Sequence, residues 1–338
     1  MEVGLTRALQ VTAMPDGGNV PPASVTVVVV NWNAGQLLRR CIEHLLRQTH
    51  SAQHIVVVDN GSNDGSADFL DATPDIELFR LGCNVGFASA NNIAIQHCKT
   101  EFVALLNPDA FPEPDWLERL LAAAVNYPGA TAFGSRLLRD GSATLLDGIG
   151  DAYHVSGLAW RLGCGQNLHP QDLRPRTIFA ACAAAALYRH DALLRTGGFD
   201  EAYFCYFEDV DLGFRLRLDG GECRYVPDAV VHHIGSAITG RTSDFSVYHG
   251  HRNLVWTFVK NMPGIWFWVL LPIHLLMNVL VLATYTALGR GACLYRAKRD
   301  AVRDLGRVWE QRRAVQAVRR VPARTVLAAM EVLPWRRR

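Results

Sequence analysis

Val25-Thr26-Val27-Val28-Val29-Val30-Asn31-Trp32-Asn33 is the stretch on which the fold turns. Six β-branched residues in a row, bounded by Asn31 and Gly35, read as a strand buried on both faces, as in a parallel sheet. Toward the C-terminus, Gln36 to Gln48 shows helical spacing, with Leu37, Leu38, Cys41, Ile42, Leu45 and Leu46 on one side. His54 to Val58 repeats the buried-strand pattern and runs into Asp59-Asn60-Gly61-Ser62-Asn63-Asp64-Gly65-Ser66, a turn-rich string where a strand hands over to a helix. Glu77 to Leu81 supplies a third strand, Ala88 to Cys98 a helix, and Glu101 to Leu106 a fourth strand that stops at Asn107-Pro108-Asp109. Alternation of this length implies right-handed βαβ units and an open, doubly wound α/β sheet. Ligands of such sheets bind beyond the carboxyl ends of the strands, where this chain carries Asn31, Asp59 and Asn107 to Asp109. In the other direction, residues 1–23 hold Gly17-Gly18 and Pro21-Pro22 without periodicity and read as a loose leader. Beyond Arg136 to Arg176, which carries no clear pattern, come an Ala-rich strand from Ile178 to Tyr188 and a helix from about Asp209 to Leu218. Strands at Arg224 to Val226 and Ala229 to His232 follow.

The chain has 338 residues, 49% of them hydrophobic and 20% charged, which excludes a disordered chain and a multi-span membrane protein. The formal net charge of +2 is a cancellation. Gly289 to Arg338 holds 14 Lys+Arg against 4 Asp+Glu, a net +10, leaving a net −8 on Met1 to Leu288. The near-neutral overall balance argues against nucleic-acid binding driven by counterion release. Eight scattered cysteines without a CxxC pair read as reduced, buried thiols in a cytosolic compartment.

Four segments carry chemistry. The Asp59 carboxylate at a strand end suits a base imide or a ribose hydroxyl, and the glycines after it allow close approach to a nucleotide. An Asx turn with a helix cap accounts equally well for Ser62 to Ser66. Asn107-Pro108-Asp109 offers one carboxylate to a hard cation of the Mg²⁺ or Mn²⁺ type, or simply a Pro-Asp turn. Phe204-Cys205-Tyr206-Phe207-Glu208-Asp209-Val210-Asp211 places three acids at a helix start, which complements the helix dipole. The aromatic run before them points instead to a walled site in which a carboxylate takes a proton from a sugar hydroxyl. In Val230-Val231-His232-His233, His233 is the candidate ligand for a cation or diphosphate, and His232 a packing residue. No GxGxxG follows the first strand, so a dinucleotide fingerprint is missing.

Taken together, Val27 to Asn33, Val57 to Ser66, Asn84-Val85-Gly86-Phe87-Ala88, Leu106-Asn107-Pro108-Asp109, Gly198-Phe199-Asp200-Glu201 and Phe207 to Leu212 resemble the inverting family-2 glycosyltransferases of GT-A fold, in particular the bacterial rhamnosyltransferase-like members. The resemblance covers roughly Val25 to Asn261. It implies a metal-dependent transfer of a sugar, rhamnose among the candidates, from a nucleoside-diphosphate donor to a hydroxyl of a lipid-linked or cell-envelope saccharide. It further implies that Asp59 contacts the base, with Asn31 lining the same pocket and Asn60 and Asn84 on the donor side. Asp109 matches the last acid of the metal-binding DXD motif, whose first acid is here Asn107, so the chain departs from the pattern at that position. Asp209 matches the catalytic base, Glu208 shapes the site, and Asp211 is the second candidate base. His233 falls where relatives place a metal- or diphosphate-contacting histidine. Arg252 matches an arginine that approaches the diphosphate, or is a helix-surface residue. The competing reading from another class is a catalytically silent nucleotide-sugar-binding scaffold of an envelope-assembly complex, for which Asn107 is the hint.

Ile265 to Leu288 is an apolar stretch long enough to span a bilayer, led by Trp266, Phe267 and Trp268 and interrupted by Pro272, His274 and Asn278. A single crossing would move the +10 tail across the membrane against the positive-inside bias. The expected organisation is therefore a leader at 1–23, a transferase domain at 24–261, and a membrane-associated helical tail at 262–338 on the cytoplasmic face of the inner membrane, peripheral or re-entrant. Within that tail, Ala301 to Val318 reads as an amphipathic helix with Leu305, Val308 and Trp309 toward anionic lipid. A buried helical hairpin in a soluble homo-oligomer is the competing arrangement.

Overall fold

A computed structural model describes residues 23–235 and 243–332. The leader expected before Ala23, the segment 236–242 and the final residues 333–338 lie outside the described residues. In chain order the first half forms β1 (Val25–Asn31), α1 (Gln36–Leu45), β2 (His54–Asp59), β3 (Ile76–Arg80), α2 (Phe87–His97), β4 (Phe102–Leu106), β5 (Ala110–Pro112), α3 (Trp116–Asn126), β6 (Ala130–Arg139) and β7 (Leu146–Gly148). Then come β8 (Asp151–Tyr153), β9 (Ala159–Arg161), β10 (Arg176–Ile178), β11 (Ala185–Arg189), α4 (His190–Thr196), α5 (Glu208–Leu218) and β12 (Glu222–His233). The C-terminal helices are α6 (Asp244–Asn261), α7 (Trp266–Ala287), α8 (Gly291–Arg303), α9 (Leu305–Ala317) and α10 (Ala323–Leu327).

The main sheet runs β10-β12-β6-β11-β4-β1-β2-β3, with β5 on β12 and β7 on β6. β4, β1, β2 and β3 are mutually parallel, whereas β11 runs antiparallel to both β4 and β6, so the sheet is mixed. The valine run explains itself in this frame. Val25, Val27 and Val29 point to the core formed with α1 and α3, and Val28 and Val30 to the core formed with α2, α4 and α5. Both faces of β1 are thereby removed from water, the arrangement a parallel strand requires.

Three expectations change. The Ala-rich stretch is not one strand: β10 ends at Ile178 on one edge of the sheet, and the chain crosses through Phe179 to Ala184 before β11 enters between β4 and β6. Small side chains are needed there, because a Cβ on Gly213 of α5 would lie 2.4 Å from that of Ala180. The two short strands near the end are one strand, β12, carrying a bulge between Val226 and Val230. After Ser66 the chain makes only a 3₁₀ turn, Asp68–Ala72, instead of a helix.

The tail helices are docked on the body. Phe258 of α6, Phe267 of α7, Ala301 of α8, Val308 of α9 and Met330 share a core with Tyr153, Phe179 and Phe214. Val308 is fully buried and Leu305 and Trp309 pack beside it, so the face expected to meet lipid meets protein, and the expected single helix breaks at Asp304 into α8 and α9.

Candidate active site

At the carboxyl ends of the strands lies a cavity of about 990 Å³. It gathers Asn60, Asn84, Asn107, Asp109, Glu208, Asp209 and His233 from the sequence-derived set, and adds Asp147, Asp151, Trp160, Arg161 and Cys182. Asn31 and Asp59 stand just behind it. Register pairs the two residues across β1 and β2, and the Asn31 amide donates to Asp59 Oδ1 (3.0 Å), with Ser62 Oγ at 3.1 Å and Ser66 Oγ at 2.8 Å. Ser62 and Asp64 also accept from the backbone of Asn33 and Gly35, so the Ser62 to Ser66 string holds its own loop.

Asn60 and Asn84 bond each other at 3.0 Å, and Asn60 accepts from the Val85 backbone at 2.9 Å, which draws the β3–α2 loop against the β2 end. Gly61 is required there. It has φ +73°, and a Cβ would sit 2.6 Å from the Cys83 carbonyl carbon.

Asp109 and His233, 124 positions apart, meet because β5 pairs antiparallel with β12, setting His233 opposite Ala110. His233 Nδ1 is 2.9 Å from Asp147 Oδ2, and Nε2 is 3.3 Å from Asp109 Oδ1 without an aligned hydrogen bond. Burial works against the imidazolium, but the two flanking carboxylates outweigh it and raise the His233 pKa above its ordinary value. Asn107 Oδ1 is likewise buried without a partner. An oriented imidazole, one carboxylate and an unpartnered amide oxygen form a donor set that fits a hard divalent cation.

The other end of the cavity is a carboxylate cluster. Asp209 accepts from the backbone of Val210 (2.8 Å) and Ala183 (3.3 Å) and stays partly exposed. Glu208 is buried with Oε2 unpartnered, and burial, then the adjacent Asp209 charge, pushes its pKa well above the usual carboxylate range. Burial likewise pushes Asp151 up to about 7, with Asp209 and Asp147 adding to the effect and Arg161 opposing it. Atoms of Asp151, Cys182 and Asp209 lie within 4.8 Å of one another. Burial raises the Cys182 thiol far above its ordinary pKa, and a protonated thiol is a poor ligand for a hard cation, so the Asp109 end suits one better. Arg161 stands between the two ends, 3.4 Å from Asp147 and 3.6 Å from Asp151.

Two candidates lie elsewhere. Asp211, on the far side of α5, is fully buried between Lys260 (2.8 Å), Arg215 (2.8 Å), Asn261 (2.7 Å) and Tyr203 (3.1 Å). It has no path to a substrate hydroxyl. Burial alone would raise its pKa; Lys260 and Arg215 reverse this and hold it at about 2. Arg252 donates to the carbonyls of Ala202 and Tyr203 (3.1 Å each) and lies over the Trp256 ring, turned into the protein. With Asn253, whose amide bonds the carbonyls of Tyr203, Cys205 and Tyr206, it clamps the loop before Glu208. That loop needs clamping. Phe204, Tyr206 and Phe207 all have φ between 65° and 69°, a positive φ that costs on the order of 1–3 kcal/mol at a non-glycine residue.

Asp147, Asp151 and Arg161 escaped the sequence reading because they sit on three-residue strands too short for periodicity. The local signal was Gly148: a Cβ there would lie 2.2 Å from Arg161 Cδ, so the glycine makes room for the arginine.

Comparison with known proteins identifies the family. Residues 26–196 match the family described as Glycosyl transferase family 2. An N-acetylglucosaminyl-diphospho-decaprenol L-rhamnosyltransferase of Mycobacterium tuberculosis is 30% identical over 263 residues, covering 71% of this chain and 85% of the relative. A pre-mycofactocin glycosyltransferase of the same species is 34% identical over 211 residues, 62% of this chain and 42% of its own length. Among solved structures, GalNAc-T7 with UDP, GalNAc and Mn²⁺ superposes with a TM-score of 0.57 at 19% identity, over 70% of this chain and 48% of that one. Residues 1–349 of S. aureus TarS superpose at 0.52 and 14% identity, over 75% and 70%. A mixed sheet of GT-A type, a cavity at its strand ends that gathers carboxylates and amides, and a family match over half the sequence lead to one assignment: the chain belongs to glycosyl transferase family 2.

Proposed function

We propose that the chain is an inverting, rhamnosyltransferase-like glycosyltransferase that moves a sugar from a nucleoside-diphosphate donor to a hydroxyl of a lipid-linked saccharide of the cell envelope. The observation that carries this reading is Asp209, a carboxylate open to the cavity at the start of α5, opposite the Asp109–His233 pair. The donor's base lies toward Asp59 and Asn60, and its diphosphate toward Asn107 and Asp109. Asp109 and His233, with Asn107, would hold Mg²⁺ or Mn²⁺, which supplies positive charge against the diphosphate. Asp209 takes the proton of the acceptor hydroxyl as its oxygen bonds to the anomeric carbon, while the bond from that carbon to the diphosphate oxygen breaks on the opposite face. The configuration inverts, and the nucleoside diphosphate leaves with the bonding electron pair. Burial and the adjacent Asp209 charge favour the protonated form of Glu208, which limits the charge it sets against the incoming donor.

The acceptor class rests on the named substrate of the M. tuberculosis relative. In this reading the protein works at the cytoplasmic face of the inner membrane, with 24–261 as the transferase unit and α7 as the lipid-facing part of the tail that follows it. Substituting Asp209→Asn should leave nucleotide-sugar binding intact in a thermal-shift assay and abolish transfer; full transfer by this variant would refute the assignment.

A further inference from the structure

Helix α7 presents a surface that the transfer chemistry does not use. Its residues divide by helical period. Phe267, Leu270, Leu271, His274, Asn278, Leu282 and Tyr285 form a stripe turned inward along the whole helix, and His274 stacks on Phe258 at 3.9 Å and bonds the Ser156 carbonyl at 2.7 Å. Gly157, at φ +90°, allows this approach, since a Cβ there would lie 2.6 Å from His274 Nδ1. The opposite face is apolar and bare, with Trp268 60%, Leu276 58% and Val279 62% exposed.

We propose that α7 lies in the plane of one anionic phospholipid leaflet, outer face immersed and inner face packed on the protein; this deepens the reading of a membrane-borne acceptor and rests on it. By length and composition α7 could cross a bilayer. A crossing would carry α8, packed beside it, and the Ser156 turn into hydrocarbon, along with Lys298, whose ammonium bonds the His251 carbonyl. An in-plane helix carries nothing charged inward. A cation borders the apolar face: the exposed Arg313 follows Trp309 by one helical turn, and the Trp309 ring is 6.2 Å from that of Trp268. Arg296 and Arg299 are also exposed on α8, on the side of Tyr248 of α6. Tryptophans and arginines flanking an apolar stripe are the composition of an interfacial helix. The charge split orients the molecule, as the +10 region attracts an anionic surface and the −8 remainder is repelled. The same split disfavours a second copy on this face, which would set two +10 regions together. Through His274 and Ser156 the immersed helix also steadies the β8–β9 hairpin, whose Ala159, Trp160 and Arg161 line the cavity.

The test uses the full chain in flotation with vesicles of phosphatidylcholine alone or mixed with phosphatidylglycerol. Wild type should float with the anionic vesicles, and the double variant Trp268→Asp/Leu276→Asp should bind them at least ~tenfold more weakly at an unchanged melting temperature. Depth is read from Leu276→Trp with lipids brominated near the headgroup or near the bilayer centre. Quenching by the shallow bromines supports the in-plane helix, and quenching by the deep ones overturns it in favour of a span. Undiminished flotation of the double variant, or a wild-type dimer that it dissociates without any vesicle binding, also overturns the proposal. Transfer to a water-soluble acceptor in the absence of lipid tests the transferase reading separately, so either can fail while the other stands.

Discussion

Asp209 and Asp211 lie one residue apart in the sequence, and they teach opposite lessons about a carboxylate at a helix start. Both gain from the helix dipole. Asp209 faces the cavity, keeps an open edge and, among the described residues, is held by two backbone donors. Asp211 faces the opposite side of α5, where Lys260, Arg215 and Asn261 fix every approach to it. The helical rotation between adjacent-but-one positions, not residue type, separates a group that can exchange a proton with substrate from one that ties α5 to α6.

The sharpest way to break this contrast is a pair of isosteric changes. Asp209→Asn should lower turnover by about 10³-fold, in the range expected for a lost general base, with little change in melting temperature. Asp211→Asn should do the reverse: it leaves Arg215 buried without its counter-charge and Lys260 with Asp200 (2.6 Å) alone, at a cost of about 3 kcal/mol, read by denaturant unfolding. Acid titration gives a smaller effect of the same origin. Because the Asp211 pKa is lowered in the folded state, its contribution of about 2 kcal/mol is present above the ordinary carboxylate pKa and is lost as pH falls toward 2. An Asp211→Asn protein should show a flatter stability profile in that window, and an unchanged profile would mean the ion pair is not felt. Smallest is Glu208→Gln. Burial and the Asp209 charge already favour the protonated form of Glu208, so the amide should cost less than about tenfold in turnover, and a loss as large as that of Asp209→Asn would mean that Glu208 acts as a base in the reaction.

The parallel half of the sheet was legible because its information is local. β1, β2 and β4 are almost continuous apolar runs, and the polar residue at the end of each marks the site edge, as Asn31, Asp59 and Asn107 do; β3, at the sheet edge, carries Glu77 within it. The antiparallel half was not. β7, β8 and β9 have three residues each, and the Ala180 to Ala186 run takes its path from the close approach of Gly213. Asp147 reaches His233 across 86 positions through strand pairing that no local pattern records. Arg252 was misplaced for a related reason. Its partners are carbonyls of a loop held at positive φ, and that backbone geometry is carried by three aromatic residues instead of by glycines that would have announced it.

The pairing of β12 with β5 has a further consequence. Adjacent residues on a strand project to opposite sides, so His233 enters the cavity while its neighbour His232 turns out to Glu113 at 2.9 Å. The three residues Pro227 to Ala229, looped out of the pairing with β6, lie upstream of both. They act as slack in a tape: a residue gained or lost there can be absorbed before the strand re-engages Arg136, and the frame in which the two imidazoles are read stays fixed by β5. A change within Val230 to His233 finds no such slack, and it would offer the cavity the wrong ring.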